Sequence, residues 1–302
     1  MSLTPLEQSA LESFRRGEFP PKPTGDERAD WISVGLAIGL YSAQLLRSSG
    51  PSVNVEEVDL KSDGSPVTEL DRRVEEMVRT ALADFHPEAA IVGEEGGGEL
   101  LADGPAVAID PVDGTWAYIS GTGTAAMTLA VFADGLPFFG VVANPTTGEI
   151  AYAVEGGNAR LIQLAVFGES DAAHRLPLGG ADPSKALVNI QPSLKAQPIV
   201  KALYEAWDQR RIQYVRSPGG SPVWAMLEAA KGRFCYLNMW SERPAEAYDL
   251  AAGVLLVRAA GGDVVDLNGA PIDSVRHSGP FVAAIQPAVR STLVEIVRAA
   301  TE

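Results

Sequence analysis

Apolar residues recur at helical spacing across residues 26–46, where Trp31, Val34, Ala37, Ile38, Tyr41 and Leu45 predict a long amphipathic helix. A second stripe, Leu70, Val74, Met77, Val78, Leu82 and Phe85, predicts another over 68–85 that Pro87 stops. Between 106 and 153 the period changes. Short apolar runs at 106–109, 127–133, 138–142 and 150–153, punctuated by Gly135, Asn144, Pro145 and Gly148, predict strands joined largely as hairpins. Further along, strands are expected at 187–190, 213–215 and 264–266, and helices at 199–210, 222–230 and 249–260, the last closed by Gly261 and Gly262. The polar residues 1–25, ending in a proline-rich run at 19–23, predict a short helix and a loose extension with no catalytic role. No internal repeat is visible, and a weak boundary near residue 145 divides an N-terminal half, 26–145, from a C-terminal half, 146–302.

Composition narrows the function classes. With 302 residues, 46% of them apolar, the chain can bury a sizeable core. Its 39 Asp and Glu against 24 Lys and Arg give a net charge of -15, which argues against nucleic acid or an anionic membrane as partner. Cys235 is the only cysteine, so no disulfide framework or thiolate metal site is expected and the chain reads as cytoplasmic. No secretory leader is expected either. The apolar stretch 34–46 contains Ser42 and Gln44 and is shorter than the roughly 18 residues that span a bilayer, so no membrane span is expected. If the substrate is a phosphate ester, metal ions held by the surplus carboxylates supply the attraction that the overall field does not.

The candidate chemistry centres on Asp110, Pro111, Val112, Asp113, Gly114 and Thr115, directly after the apolar run 106–109. Carboxylates at the end of a buried strand are costly unless compensated, and a divalent cation would compensate them. A plain turn is the competing reading, since Asp-Pro and Asp-Gly both favour turns. As a site, Asp110 and Asp113 can point to one side with the Val112 carbonyl between them, while Gly114 and Thr115 offer amides to an anion.

Three other acidic clusters accompany it. Glu94 and Glu95 follow Gly93 and read, taken alone, as solvated loop charges. The glycines after them are no phosphate-binding P-loop, because no Gly-Lys-Ser or Gly-Lys-Thr follows. Thr68 and Asp71 form a capping-box pattern. Asp249 begins a helix and reads as its cap, with Ala251, Ala252 and Gly253 small enough for close approach to another element.

The order Gly93-Glu94-Glu95, DPVDGT at 110–115 and YDLAAG at 248–253, preceded by SPVTELD at 65–71, resembles the inositol monophosphatase family of lithium-sensitive, magnesium-dependent phosphatases. The similarity covers about residues 63–271 and extends to the segments 140–159 and 216–233. It implies an α+β fold, the layered α-β-α-β-α sandwich shared with fructose-1,6-bisphosphatase, with the active site where the halves meet. Two to three Mg²⁺ ions are implied, with Mn²⁺ as a substitute. Glu94, Asp110 and the Val112 carbonyl correspond to the ligands of one ion, and Asp110, Asp113 and Asp249 to those of a second. A third, weaker ion borders the same Glu94. Such hard oxygen donors favour Mg²⁺ or Mn²⁺ over zinc, and His86, His174 and His277 are too scattered for a zinc pattern.

The resemblance also implies a cation-activated water attacking phosphorus in line, without a covalent phosphoenzyme. Glu94, Thr115 and Asp71 are its catalytic residues, the last two removing the proton, while Asp110, Gly114 and Thr115 surround the phosphate. The expected substrate is a small phosphorylated metabolite, an inositol or related polyol monophosphate. The alternatives are 3′-phosphoadenosine 5′-phosphate, histidinol phosphate, fructose 1,6-bisphosphate, or a non-catalytic metal-binding role. A homodimer is expected by the same resemblance.

Departures fall on the alcohol side. Trp116, Ala117 and Tyr118 follow the DGT motif, and the spacing from there to Met127 and Thr128 suits the bisphosphate-nucleotide branch slightly better. Tyr248 stands for the usual Trp, and 239–247 reads as a lengthened loop. Trp116, Tyr118, Gly220, Ser221, Glu242 and Glu246 are the candidate substrate contacts.

Overall fold

In the computed structural model, residues 3–50, 58–62, 64–101, 103–164, 172–178, 182–191, 196–239 and 244–301 are described. The N-terminal segment folds as α1 (Pro5–Arg15), opened by a capping box in which the Thr4 hydroxyl accepts from the Glu7 amide. Glu7 is completely buried. Its carboxylate accepts from Arg160 Nε at 2.6 Å, Arg160 Nη2 at 2.7 Å and the Tyr152 hydroxyl at 3.0 Å. The stretch after α1, expected to be loose, is tied at its end, because buried Asp30 accepts from the Thr24 and Gly25 amides at 2.7 and 3.0 Å.

Helix α2 (Glu27–Ser49) starts at the Asp26 cap, whose carboxylate accepts from the Ala29 amide at 3.1 Å. Its length and composition would suffice to cross a membrane, but 78% of its most apolar window is buried inside the protein. Gly35 and Gly39 let it lie against the sheet beneath: an added Cβ would come within 2.3 Å of the Phe139 ring and 3.0 Å of Val141. The short strands β1 (Asp59–Leu60) and β2 (Pro66–Val67) then lead into α3 (Glu69–Phe85).

A seven-stranded sheet follows in sequence order: β3 (Ala90–Gly93), β4 (Pro105–Asp113), β5 (Ala126–Ala133), β6 (Leu136–Asn144), β7 (Glu149–Val154), β8 (Arg160–Gln163) and β9 (Ala172–Arg175). Only β3 and β4 pair in parallel; every other pair is antiparallel, as hairpin connections require. The turn near residue 145 therefore lies inside this sheet, between β6 and β7. A short helix, α4 (Thr115–Ile119), interrupts the meander after β4.

The second sheet holds β10 (Leu187–Gln191), β11 (Tyr214–Arg216), β12 (Cys235–Asn238), β13 (Asp263–Asp266) and β14 (Phe281–Ala284), in the order β11-β10-β12-β14-β13. Its helices are α5 (Gln197–Asp208), α6 (Pro222–Ala230), α7 (Ala247–Ala259) and α8 (Pro287–Thr301).

Side-chain alternation assigns the layers. In β4, Val107 and Ile109 pack toward the core with α1, α2 and α3, while Ala106 and Ala108 face the core with α6 and α7. Helices α5 and α8 cover the outer face of the five-stranded sheet. The result is the expected α-β-α-β-α sandwich. Alanine and glycine dominate the sheet face toward α7, and Gly140 is essential there, since a Cβ would sit 2.9 Å from the Ala252 Cα. That close approach brings the start of α7 to the end of β4.

The expected elements are all present, with ends shifted by a few residues. Strands β1, β2, β3, β8, β9, β12 and β14 and helices α4 and α8 lie where the sequence reading assigns nothing. Apart from α8 they are short, two to five residues each, too few for a period to register.

Glu7→Ala removes the buried carboxylate that accepts from both Arg160 and Tyr152. We expect about 3 kcal/mol of lost stability, the lower end for breaking a buried pair, read as a lowered midpoint of urea unfolding.

Candidate active site

A strand alternates its side chains, so Asp110 and Asp113, three positions apart, would face opposite sides of a regular β4. Between them the pairing with β5 shifts: Asp110 opposes Thr128, and Asp113 opposes Ala126. One extra residue thus bulges out, the device that re-aims side chains. Pro111, which has no N–H to give to the ladder, sits in the bulge, and the Val112 amide donates to Asp110 Oδ1 at 2.9 Å. Both carboxylates now share one side with Asp249, and one oxygen of each lies within 4.8 Å of the others.

Each of the three is held by its surroundings. Asp113 Oδ2 accepts from the Ser221 hydroxyl and from the Val223 amide at 2.9 Å. Ser221 is also the cap of α6, taking the Trp224 amide at 2.7 Å. Asp249 accepts from the Glu246 amide at 2.8 Å through Oδ2. The cap of α7 is therefore Glu246, and Asp249, expected as the cap, is the third helical residue closing that capping box while it also faces the cluster.

Burial and crowding govern their protonation. The three are 2%, 5% and 4% exposed. Burial, and then the charges of Glu94, Asp113 and Asp249, push Asp110 well above the ordinary carboxylate range. Burial raises Asp113 to about 7, with Asp249 and Glu94 adding to it and the bonds from Ser221 and Val223 opposing. Three buried acids in one small space could hold a cation: all donors are hard oxygens, and a divalent ion would relieve both desolvation and repulsion.

Glu94 stands beside this trio rather than inside it. It is near enough to raise Asp110, and its carboxylate takes the Lys61 ammonium at 2.9 Å, an ammonium shared with Glu95 at 2.6 Å. Burial opposes the Lys61 charge, but Glu95 and Glu94 outweigh it and the lysine stays strongly protonated. Lys61 opens the cluster that runs to Thr68 and Asp71, and the sequence reading gives it no role; its contact with Glu94 and Glu95 comes from the fold.

Asp71 Oδ2 accepts from the Thr68 amide at 2.9 Å and from its hydroxyl, completing the capping box of α3. Its Oδ1 is buried without a partner. Burial raises this acid to about 6, against the bonds from Thr68. The Thr115 hydroxyl donates to the Val112 carbonyl at 3.1 Å, so among the described residues no hydrogen bond joins Thr115 to Asp71.

Gly114 adopts φ 82° and caps α4; a Cβ there would come within 2.7 Å of the Ser221 nitrogen. The turn and the 219–221 loop are therefore in contact, with the Ser221 amide bound to the Thr124 carbonyl at 2.9 Å. Because α4 is only five residues long, its first-turn amides, not a long-helix dipole, are what it offers an anion.

The alcohol-side candidates scatter. Trp116 is 48% exposed beside the turn. Tyr118 points away: its hydroxyl donates to the Leu46 and Gly50 carbonyls at 2.7 and 3.1 Å, closing the end of α2. Ser221 donates its hydroxyl to Asp113. Gly220 packs against Thr124, where a Cβ would meet the hydroxyl at 2.3 Å. Glu246 begins α7 with its carboxylate 3.6 Å from Arg276, and Glu242 lies outside the described residues.

The inositol monophosphatase family pattern matches residues 28–302. The chain belongs to that family. An inositol-1-monophosphatase, ImpA, of Mycolicibacterium smegmatis is 34% identical over 242 residues, covering 76% of this chain and 79% of its own. A histidinol-phosphatase of Mycobacterium tuberculosis is 28% identical, covering 84% of this chain and 93% of its own. In fold, an IMPase of Thermotoga maritima superposes with a TM-score of 0.72 at 24% identity, covering 91% of this chain and 98% of that one. Membership of the inositol monophosphatase family makes this protein a phosphoric monoester hydrolase.

The raised pKa of Asp113 has a signed consequence for the metal-free protein. A carboxylate at 3.8 unfolded and about 7 folded contributes stability that is full below pH 4 and lost as pH rises through 7. A cation must displace that proton at low pH and meets a free carboxylate at high pH. The Mg²⁺-induced rise in melting temperature is therefore expected to be larger at pH 8 than at pH 5.5; an equal or reversed difference would contradict the clustering.

Proposed function

We propose that this protein is a Mg²⁺-dependent phosphomonoesterase acting on a small phosphorylated metabolite, foremost an inositol or related polyol monophosphate. The observation that carries this reading is the convergence of Asp110, Asp113 and Asp249, buried and within 4.8 Å of one another, beside the Gly114 turn. Glu94, Asp110 and the Val112 carbonyl would hold one ion; Asp110, Asp113 and Asp249 would hold a second. When bound, such ions supply positive charge to the phosphate and lower the pKa of water.

The protein's own groups then have distinct tasks. Ser221 and the Val223 amide fix one Asp113 oxygen, leaving its second carboxylate oxygen for the cation. The amides at the start of α4 orient phosphate oxygens, and Gly114 permits the backbone to come that close. Asp71 is the proton acceptor: it is buried, raised to about 6, and has one oxygen unpartnered. Thr115 links it to the attacking water by turning its hydroxyl away from the Val112 carbonyl, which is thereby released to act as a ligand.

Histidinol phosphate is a second reading, supported by the coverage of 93% of the mycobacterial histidinol-phosphatase. Phosphate release from inositol 1-phosphate, histidinol phosphate, 3′-phosphoadenosine 5′-phosphate and fructose 1,6-bisphosphate, with Mg²⁺ and with or without Li⁺, separates the substrates. We expect one of the four to dominate and Li⁺ to inhibit; release from none would overturn the reading. Asp113→Asn is expected to lower kcat by at least a thousandfold while the melting transition stays cooperative, and retained turnover would remove Asp113 from the ligand set.

A further inference from the structure

Helix α3 presents a stripe to the site at four-residue spacing, Asp71, Glu75 and Arg79, of which only Asp71 has a part in the reaction so far. Glu75 is 3% exposed. Its Oε2 accepts from the Glu95 amide at 3.0 Å, and its Oε1 from the Gly96 amide at 2.9 Å and from Arg79 Nε at 2.8 Å. Arg79 Nη2 continues to the Gly97 carbonyl at 2.9 Å. Apart from the Glu75–Arg79 bond within the helix, these contacts fall on the loop that carries Glu94, which Gly93 and Gly97 close by bonding each other in both directions at 3.0 Å.

The sequence of that loop fits the carboxylate it surrounds. A Cβ on Gly93 or on Gly96 would each lie 2.3 Å from Glu75 Oε1, so both positions are glycine because Glu75 fills the space. A buried carboxylate is a costly way to hold a loop. Here it is satisfied by two amides and a guanidinium, and it fixes the backbone directly after Glu94. Lys61, bonded to the Glu94 and Glu95 carboxylates, holds the same pair at their other end.

We propose that Glu75, braced by Arg79, is a positioning residue that sets how tightly Glu94 holds a divalent cation. The inference rests on the reading of Glu94 as a ligand. Glu75 touches neither substrate nor metal; it acts through the Glu95 and Gly96 amides. In Glu75→Gln one oxygen is exchanged for an NH₂, so the Glu95 and Gly96 amides can no longer each keep an oxygen of their own, and the loop gains freedom exactly where Glu94 departs from it. Groups that orient metal ligands typically contribute 10–100-fold to affinity.

Mn²⁺ binding followed by electron paramagnetic resonance, on the full chain without substrate, tests this directly. Wild type, Glu94→Gln, Glu75→Gln and Arg79→Met are compared, with unfolding in EDTA as the check on folding. We expect Glu94→Gln to weaken one Mn²⁺ site, Glu75→Gln to weaken that same site by about tenfold, and Arg79→Met to fall between. In turnover, the Mg²⁺ concentration for half-maximal rate should rise while kcat at saturating Mg²⁺ stays near wild type. Wild-type Mn²⁺ affinity in Glu75→Gln, with Glu94→Gln weakened, overturns the proposal alone. Wild-type affinity in Glu94→Gln overturns the ligand reading and the proposal with it. If Glu75→Gln does not fold, Arg79→Met decides, and an unchanged affinity there overturns the proposal.

Discussion

Three carboxylates share one buried space in this protein, and most of what surrounds them follows from that. Asp110, Asp113 and Asp249 are each 5% exposed or less and repel one another, which raises the pKa of the first two above the carboxylate range. Such a cluster is unfavourable for folding unless the backbone leaves no alternative and a cation is available. The fold supplies the first condition. A bulge at Pro111 turns Asp110 and Asp113 to one side, the start of α6 bonds Asp113, and Asp249 is tied into the first turn of α7.

The same constraint explains features far from the chemistry. Helix α7 reaches β4 because the sheet face toward it is built from Ala106, Ala108, Ala130, Ala151, Ala153 and Gly140, with Gly140 against Ala252 on the helix, while Gly253 admits Met226 of α6. Larger residues would widen that gap and separate Asp249 from its partners. Gly114 and Gly220 do the equivalent for the two loops that meet over the site. On the other side, α3 brings Asp71 to the site and bonds the Glu94 loop. The acids of the candidate site are therefore distributed over the first helical layer, the first sheet and the helices between the sheets.

Much of this was legible in the residues. The 3.6-residue period located α2 and α3, and the short punctuated runs located β4 to β7. The DPVDGT motif, read with Glu94, Asp71 and Asp249, identified the acids that the fold assembles. What the pattern could not convey was the use of each polar group. Ser221 and Tyr118 sit in segments that resemble substrate-contacting ones, yet one hydroxyl holds Asp113 and the other closes α2. Glu75 and Lys61 carry no motif of their own, and their partners on the Glu94 loop are 20 or more residues away in sequence. The N-terminal segment was underestimated for the same reason: the partner of Glu7, Arg160, is 153 residues distant.

The central claim is that the cluster at the end of β4 is a divalent-cation site. Crystals of the protein grown with Mn²⁺, with diffraction recorded at a wavelength where manganese scatters anomalously, test it most directly. The account predicts anomalous peaks among the Asp110, Asp113 and Asp249 carboxylates and between Asp110 and Glu94. The absence of a peak there in crystals holding Mn²⁺ elsewhere, with Lys61 still bound to Glu94, would contradict it.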